Sequence, residues 1–512
     1  MSMTPNDLRF DAVRWRAVGR RSLARRVRLL VLANMVVAAW YFGWLLQGAR
    51  IGNPVLFGLL VVAEAFNLVQ GLGFWWTVRR DRRSMGTPEW EGRLPDVDVL
   101  IPVYNEPLDV VEPTVAAATR LPGARVHVAL LDDGNRAELH DLAARHGAAY
   151  VRRGVNTGAK AGNLNNALAR TSSPFVLVLD CDHIPGPRLL KATLGHFIDP
   201  EVAFVQTPQY YANAPASPIA RAAWSQQALF FGAIARGKDR MGSMFCCGTN
   251  VVFRRDALED AGGFPERSLT EDFELSVILH EHGWRSVYVP EVLVRGLGPE
   301  DMASYVSQQH RWARGCLSAL PRVLRSALPR RLQLQYVLSA MYFLTGWTVL
   351  VYMALPVIRI FTGAQPLAGA SADQFLVHFA PYFGVSLLLV ATAGAGTYSF
   401  AAFCLATSSF WVHVYASLSA LLRRKGRFVV TPKRGAGRRQ PRAVWPALVA
   451  IAILVSAATF GLWESRSPAT LNNVSFAFLH VLVLTAGVSP ALRRPVTAVA
   501  AREQRRRERV AA

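Results

Sequence analysis

Charged residues are scarce in this chain: Asp, Glu, Lys and Arg make up 18% of its 512 residues, whereas 52% are hydrophobic. A wholly soluble protein of this length does not have that balance, and neither a soluble domain nor a set of membrane spans alone accounts for all of it. Cysteine is scarcer still. Cys181, Cys246, Cys247, Cys316 and Cys404 fit no metal-knuckle spacing, and four of them fall in the segment read below as cytosolic, so a disulfide framework is excluded. No internal repeat or low-complexity run is evident. Acids are the minority sign, 35 against 57 Lys and Arg, for a formal net charge of +22. The excess sits in arginine runs that flank apolar stretches, which points to a membrane surface and away from nucleic acid.

A helix crosses the hydrocarbon core with about 20 mostly apolar residues. Two early stretches qualify, within 29–78, joined by the short turn GARIGN. The arm 1–28 carries Arg14, Arg16, Arg20, Arg21, Arg25, Arg26 and Arg28, and Arg79, Arg80, Arg82 and Arg83 follow the second stretch. By the positive-inside rule both flanks are cytoplasmic, and the first run is too long for a cleaved signal peptide. Two further spans are expected within 334–395 and two within 444–488, for about six in all. The segment 315–333 reads as an interfacial helix. The apolar segment 398–422 also reads as one, because a seventh span would put the basic loop 423–442 outside. The basic tail 489–512 then falls inside. The expectation is a multi-pass protein of the cell membrane, in contact with its lipid, with a cytoplasmic domain over 95–314.

Within 95–314 the pattern changes to alternating strands and helices. VDVLI (97–101), VHVALL (126–131) and FVLVL (175–179) read as buried parallel strands of a doubly wound sheet, whose ligands sit beyond the strands' carboxyl ends. Polar motifs follow each of them. PVYNEP holds Tyr104 and Glu106, and DDG holds Asp132 and Asp133; each has a bland reading as a turn. DCDH places Asp180 and Asp182 within reach of one hard cation, Mg²⁺ or Mn²⁺, that would neutralise a diphosphate leaving group. NTGAKAGNLNNAL, with Lys160, makes an anion site at a helix start or an ordinary N-terminal loop. Thr270, Glu271 and Asp272 open a helix, where acids suit the dipole; Asp272 could also serve as a general base. QQHRWARG offers Gln308, Arg311 and Trp312, as an interfacial anchor or as a platform for a sugar ring beside a diphosphate.

The ordered set DDG, DCD, TED and QQHRW, with KAGNLN between the first two, resembles family 2 glycosyltransferases of the cellulose, chitin and hyaluronan synthase type. FVVTPK at 428–433 resembles the gating loop of bacterial cellulose synthase. The resemblance runs from about Pro95 to the last span. It implies an α/β GT-A (Rossmann-like) cytosolic domain inserted between transmembrane helices. The implied activity is an inverting, processive transfer from a UDP-sugar, best UDP-glucose, to a growing β-linked polysaccharide, with Mg²⁺ or Mn²⁺ as cofactor. By matching position, Asp132 and Asp133 would contact the uridine part, and Asp180 and Asp182 the metal and diphosphate. Asp272 would be the base. Trp312 with Cys247 and Gly248 would hold the acceptor, and Thr431 and Lys433 the donor. Gln309 stands where cellulose synthases usually carry Arg, as in hyaluronan, curdlan and mannan synthase-like proteins, which leaves sugar and linkage open. A single transfer to a lipid-linked acceptor is the competing reading. The tail is too short for a cyclic-di-GMP-binding barrel, and no residue identifies an accessory export protein.

For export, Glu64, Asn67 and Gln70 fall on one face of the second span, as channel lining or as a helix contact. Trp40, Tyr41 and Trp44 would form an outer aromatic belt or line the exit.

Overall fold

The computed structural model describes residues 20–79, 88–423 and 439–493. The gating-like FVVTPK, with Thr431 and Lys433, lies outside the described residues, as do most of the arm and tail.

The chain opens with two long apolar helices, α1 (Arg20–Leu45) and α2 (Pro54–Val78). Then follow β1 (Asp96–Val103), α3 (Leu108–Ala118), β2 (Arg125–Asp132), α4 (Ala137–Arg145), β3 (Ala149–Arg152), α5 (Ala159–Leu168), β4 (Phe175–Val178), β5 (Ile184–Pro185) and α6 (Leu189–Thr193). The domain continues through β6 (Val202–Gln206), β7 (Tyr210–Tyr211), α7 (Pro218–Leu229), α8 (Ala235–Arg240), β8 (Val251–Arg254), α9 (Arg255–Asp260), α10 (Glu271–Glu281), β9 (Arg285–Tyr288) and β10 (Val294–Gly296). Last come α11 (Met302–Arg325), α12 (Arg330–Met341), α13 (Thr345–Thr362), α14 (Ala372–Ala393), α15 (Phe400–Ser408), α16 (Phe410–Leu421), α17 (Trp445–Glu464) and α18 (Pro468–Leu492).

Seven strands form one sheet in the order β3-β2-β1-β4-β8-β6-β9. The three strands expected from the apolar runs are parallel neighbours, with β1 between β2 and β4. Beyond them the sheet is mixed, because β8 runs antiparallel to both β4 and β6. Alternation along β1 feeds two cores. Val97, Val99 and Ile101 pack with Val115 of α3 and Leu142 of α4, and Leu100 packs on the opposite face with Leu164 of α5 and Leu275 of α10. One buried ion pair fastens the sheet: Arg255 Nη2 donates to Asp98 Oδ2 at 2.7 Å, and Asp98 also accepts from the amide and hydroxyl of Ser173.

Among the described residues six helices are long and apolar enough to cross a membrane: Leu23–Leu45, Pro54–Val78, Arg330–Thr362, Ala372–Ala393, Trp445–Glu464 and Pro468–Leu492. Two expected boundaries move. The division at 314/315 falls inside α11, whose amphipathic run continues from its cap at Asp301, which accepts from Ser304 N, to Arg325; α12 then belongs to the third apolar helix. The single interfacial helix expected over 398–422 is instead the pair α15 and α16, bent by 44°. Ser409 sits at the break, and the pair packs against α11, α13 and α18. The aromatic belt is also revised: Tyr41 and Trp44 are buried among Phe375, Phe379 and Tyr382, and only Trp40 is exposed.

Replacing Asp98 with Ala leaves the Arg255 guanidinium buried without its carboxylate. We expect a loss of about 3–5 kcal/mol, because an uncompensated buried charge costs that much. Thermal unfolding of the full chain in detergent reads it, and an unchanged melting temperature would contradict the assignment.

Candidate active site

The sheet brings the motifs together at one edge. β2 ends at Asp132, and Asp180 lies two residues past the end of β4. Because β8 is antiparallel to β4, with Val178 opposite Val251, the residues before β8 meet those after β4. Thus the Asp180 amide donates to Thr249 Oγ1 at 2.8 Å, and FCCGT lies beside DCDH.

The DDG carboxylates are largely spent within the protein. Asp132 is buried and accepts from the amides of Gly134 and Arg136 and from the Tyr150 hydroxyl, at 2.7, 2.6 and 2.8 Å. These bonds hold the turn, and only glycine fits at 134, where a Cβ would lie 2.1 Å from the Tyr104 carbonyl oxygen. The expected uridine contact from Asp132 therefore meets a carboxylate that already shapes the loop. Asp133 is gripped in a fork by Arg153, Nε to Oδ1 at 2.6 Å and Nη2 to Oδ2 at 2.7 Å. Arg153 also donates to the carbonyls of Thr157 and Ala159, tying DDG to the NTGAK loop. Arg153 was not singled out in the sequence, because one arginine in a basic chain carries no motif. Tyr104 is exposed, and its amide donates to Glu106 Oε2 at 2.9 Å.

Asp180, Asp182 and His183 present ligand atoms within 4.8 Å of one another. Two carboxylates and an imidazole suit a divalent cation such as Mn²⁺, and a phosphate oxygen would complete such a set. His183 Nδ1 lies 3.2 Å from Asp182 Oδ1, and its ring packs on Gly296, where any Cβ would collide with it. The visible signal for His183 was its place beside the DxD pair. Lys160 Nζ donates to Asp180 Oδ1 at 2.5 Å and to the Gly248 carbonyl at 2.8 Å. Burial would lower its pKa, but Asp180, Glu271 and Asp272 outweigh burial and keep it above the ordinary lysine value.

The TED turn faces this cluster. Burial, then the neighbouring Glu271 carboxylate, pushes the Asp272 pKa up to about 7, against partial relief from the Phe273 amide, Lys160 and Arg311. Gly248, at φ 80°, lets the backbone approach, since a Cβ there would sit 2.9 Å from Asp272 Oδ2. Ser276 Oγ donates to the Asp272 carbonyl and accepts from the Cys246 amide, joining α10 to FCCGT. Helix α11 docks through Gly315, where a Cβ would be 2.3 Å from Thr270 Cγ2. That contact sets Gln309 and Trp312 on the wall of the same cavity as Asp272 and Cys247. Gln308 turns elsewhere, its Nε2 3.5 Å from the Tyr211 hydroxyl.

The cavity measures about 1610 Å³ and does not stop at the domain. Its wall continues along α2 through Gln70, Asn67 and Glu64 to Ser467 and Asn473 at the far ends of the spans. The polar face of the second span therefore serves both expectations. It lines the cavity, and it also contacts helices, with Asn67 Nδ2 donating to the Tyr352 hydroxyl at 2.8 Å.

These features define a GT-A glycosyltransferase domain set on apolar helices. A family model described as "Glycosyltransferase like family 2" matches residues 95–315, and one described as "Cellulose synthase" matches 259–424. The cellulose synthase catalytic subunit (UDP-forming) of Komagataeibacter sucrofermentans is 30% identical, covering 92% of this chain and 67% of its own length. Putative cellulose synthase 2 of Komagataeibacter xylinus is 32% identical over 89% of this chain and 32% of its own length. The chain belongs to the cellulose synthase family, and it spans about a third of the length of the first curated relatives it matches. In fold it is similar to the mannosyltransferase PcManGT from Pyrobaculum calidifontis, solved with GDP-Man and Mn²⁺, with a TM-score of 0.52 and 17% identity, covering 72% of this chain and 100% of that one.

Replacing His183 with Ala is expected to weaken Mn²⁺ binding by about 10- to 100-fold, as loss of a residue that orients a metal ligand does. Titration of Mn²⁺ in the presence of UDP, followed by electron paramagnetic resonance, measures this. Unchanged affinity would remove His183 from the site.

Proposed function

We propose that this protein is a processive, inverting glycosyltransferase that polymerises sugar from a UDP-sugar, best UDP-glucose, into a β-linked glucan and exports it through its own spans. The observation that carries this reading is the single cavity that joins Asp272 and Trp312 to Glu64, Asn67 and the far ends of the apolar helices. The reading is favoured over a single transfer to a lipid by the polar groups Gln70, Asn67 and Glu64 that α2 keeps in the otherwise largely apolar wall, since polar side chains in hydrocarbon are costly to keep. The arginine-rich flanks support a catalytic domain on the cytoplasmic side, where nucleotide sugars are made available.

In the proposed reaction the acceptor sugar rests on Trp312, near Cys247 and Gly248. Its hydroxyl oxygen attacks the anomeric carbon from the face opposite UDP. The new C–O bond forms as the bond to the β-phosphate oxygen breaks, UDP departs, and Asp272 takes the hydroxyl proton. The raised pKa of Asp272 makes it a base of suitable strength near neutrality. Lys160 and Arg311 supply positive charge beside the diphosphate. Asp180 and Asp182, with His183 behind them, would hold Mg²⁺ or Mn²⁺, and such an ion neutralises charge that builds on the leaving group. Glu271 raises the basicity of Asp272, and Thr270 fits the turn against α11.

Membranes carrying the protein, given UDP-glucose and Mg²⁺ or Mn²⁺, are expected to make high-molecular-weight glucan. Sizing and linkage analysis of products from a panel of UDP- and GDP-sugars provides the check. A short lipid-bound product would overturn the processive reading, and a β-1,3-glucan, mannan or hyaluronan-type polymer would revise the sugar.

Asp272→Asn should reduce transfer by about 10²- to 10⁴-fold with nucleotide binding retained. The sign of the pH dependence follows from the raised pKa. Below about pH 7 the folded protein holds Asp272 protonated, so wild-type transfer falls as the base is lost. Between the ordinary aspartate pKa of 3.8 and about 7 the folded state binds the extra proton, so this group's contribution to stability declines as pH rises through 7. The Asn variant should therefore melt above wild type at about pH 8, with the advantage shrinking as pH falls below about 7 and gone near the ordinary aspartate value of 3.8. Substantial turnover by the variant would refute the base assignment.

A further inference from the structure

One cation in the cavity wall takes no part in the proposed chemistry. Lys238 of α8 is buried and lines the cavity. Its ammonium donates to Ser339 Oγ at 2.8 Å, to Gln335 Oε1 at 3.1 Å and to the Gln335 carbonyl at 3.3 Å. Among the described residues no carboxylate pairs with it. A buried ammonium held only by neutral oxygens is expensive, and burial pushes its pKa down to about 7. A strongly perturbed, unpaired charge in a cavity wall is a candidate to meet a ligand.

Its position is specific. Gln335 also bonds Thr77 in the last turn of α2, and Gly237 allows α8 to approach there, since a Cβ would lie 2.3 Å from the Thr77 carbonyl oxygen. Lys238 thus lies in the cavity wall where α8 meets the last turn of α2, a place we call the neck. Cys247 of the acceptor pocket is close enough to act on its charge, and Gln70, Asn67 and Glu64 lie further along α2. The ammonium lies 5.4 Å from the centre of the Phe245 ring, which is also in the wall. Of its three bonds, the 3.3 Å one is dispensable: the Gln335 carbonyl already accepts from Ser339 Oγ at 2.7 Å, so one ammonium proton can turn to a ligand without orphaning a buried acceptor. An apolar ring beside a charged donor matches a pyranose, which offers a C–H face and an oxygen-rich edge.

We propose that Lys238 grips the product chain just past the acceptor sugar, donating to a ring or hydroxyl oxygen, and makes the neck selective for neutral or acidic glycans over those bearing free amines. The inference rests on the polymerising reading above. The grip sets how many sugars are added before the chain is lost, and below its lowered pKa of about 7, where Lys238 carries its charge, like charge rejects an amino sugar, so the hexamers are compared at about pH 6.

The test uses the full chain in detergent, with cellohexaose and a glucosamine hexamer as probes and tryptophan fluorescence as the readout. Lys238→Met should weaken cellohexaose binding by about tenfold or more, the loss expected for a hydrogen bond to a charged donor, with UDP affinity unchanged. Product length should fall by a similar factor, and Lys238→Arg should restore both. Lys238→Gln keeps a neutral donor for the same oxygens and guards against a folding defect. It should abolish discrimination between the two hexamers. The proposal is overturned if Lys238→Gln still discriminates, or if the Met variant binds cellohexaose and builds polymer as wild type does. Wild-type protein that binds UDP but neither hexamer would overturn the polymerising reading itself.

Discussion

The close approach of α11 to the start of α10 governs the architecture. Gly315 brings one helix backbone against Thr270, so the helix that carries Gln309 and Trp312 is placed by contact with the turn that carries Glu271 and Asp272. A side chain larger than hydrogen at 315 would push Trp312 and Asp272 apart. Beside this contact, burial of the carboxylate and the neighbouring Glu271 raise the Asp272 pKa to about 7. Packing and acid–base behaviour are thus one arrangement.

A second constraint concerns polarity in an apolar setting. Glu64, Asn67 and Gln70 would be prohibitive on a lipid-facing helix surface, and the chain turns them toward a cavity or toward other helices. Tyr41 and Tyr352 hydroxyls share this interior, with Tyr41 donating to Glu64 Oε1 at 3.3 Å. Phe375, Phe379, Tyr382 and Phe383 of α14 line the same cavity. The wall of the passage is therefore mostly apolar rings interrupted by a short row of polar groups.

Much of this was legible in the residues, for physical reasons. Apolar runs bounded by arginines can do little other than form spans, and β-branched runs followed by acids mark strand ends whatever the rest of the fold. The motifs could be placed at one sheet edge because parallel strands share a carboxyl side. Less local features were hidden. The antiparallel direction of β8 depends on tertiary pairing, and VVFR reads the same in either direction. The end of α11 was misplaced because its apolar stripe passes smoothly into a membrane-like segment, and the bend at Ser409 interrupts a run whose composition is uniform. Arg153 and Lys238 gave no signal, since the importance of each lies in what burial does to a charge, and burial is not written in the neighbouring letters. His183 was adjacent to a motif but is set by Gly296, far along the chain.

The reversed strand β8 also has a topological meaning. A parallel neighbour would have entered the sheet from the opposite rim, and FCCGT would have needed a crossover of its own to reach DCDH. By running backwards, the chain lets the outgoing end of β4 and the incoming end of β8 share a corner, pinned where the Asp180 amide meets Thr249. DCDH and FCCGT are thereby tied to one corner of backbone, so a displacement of either segment carries the other with it.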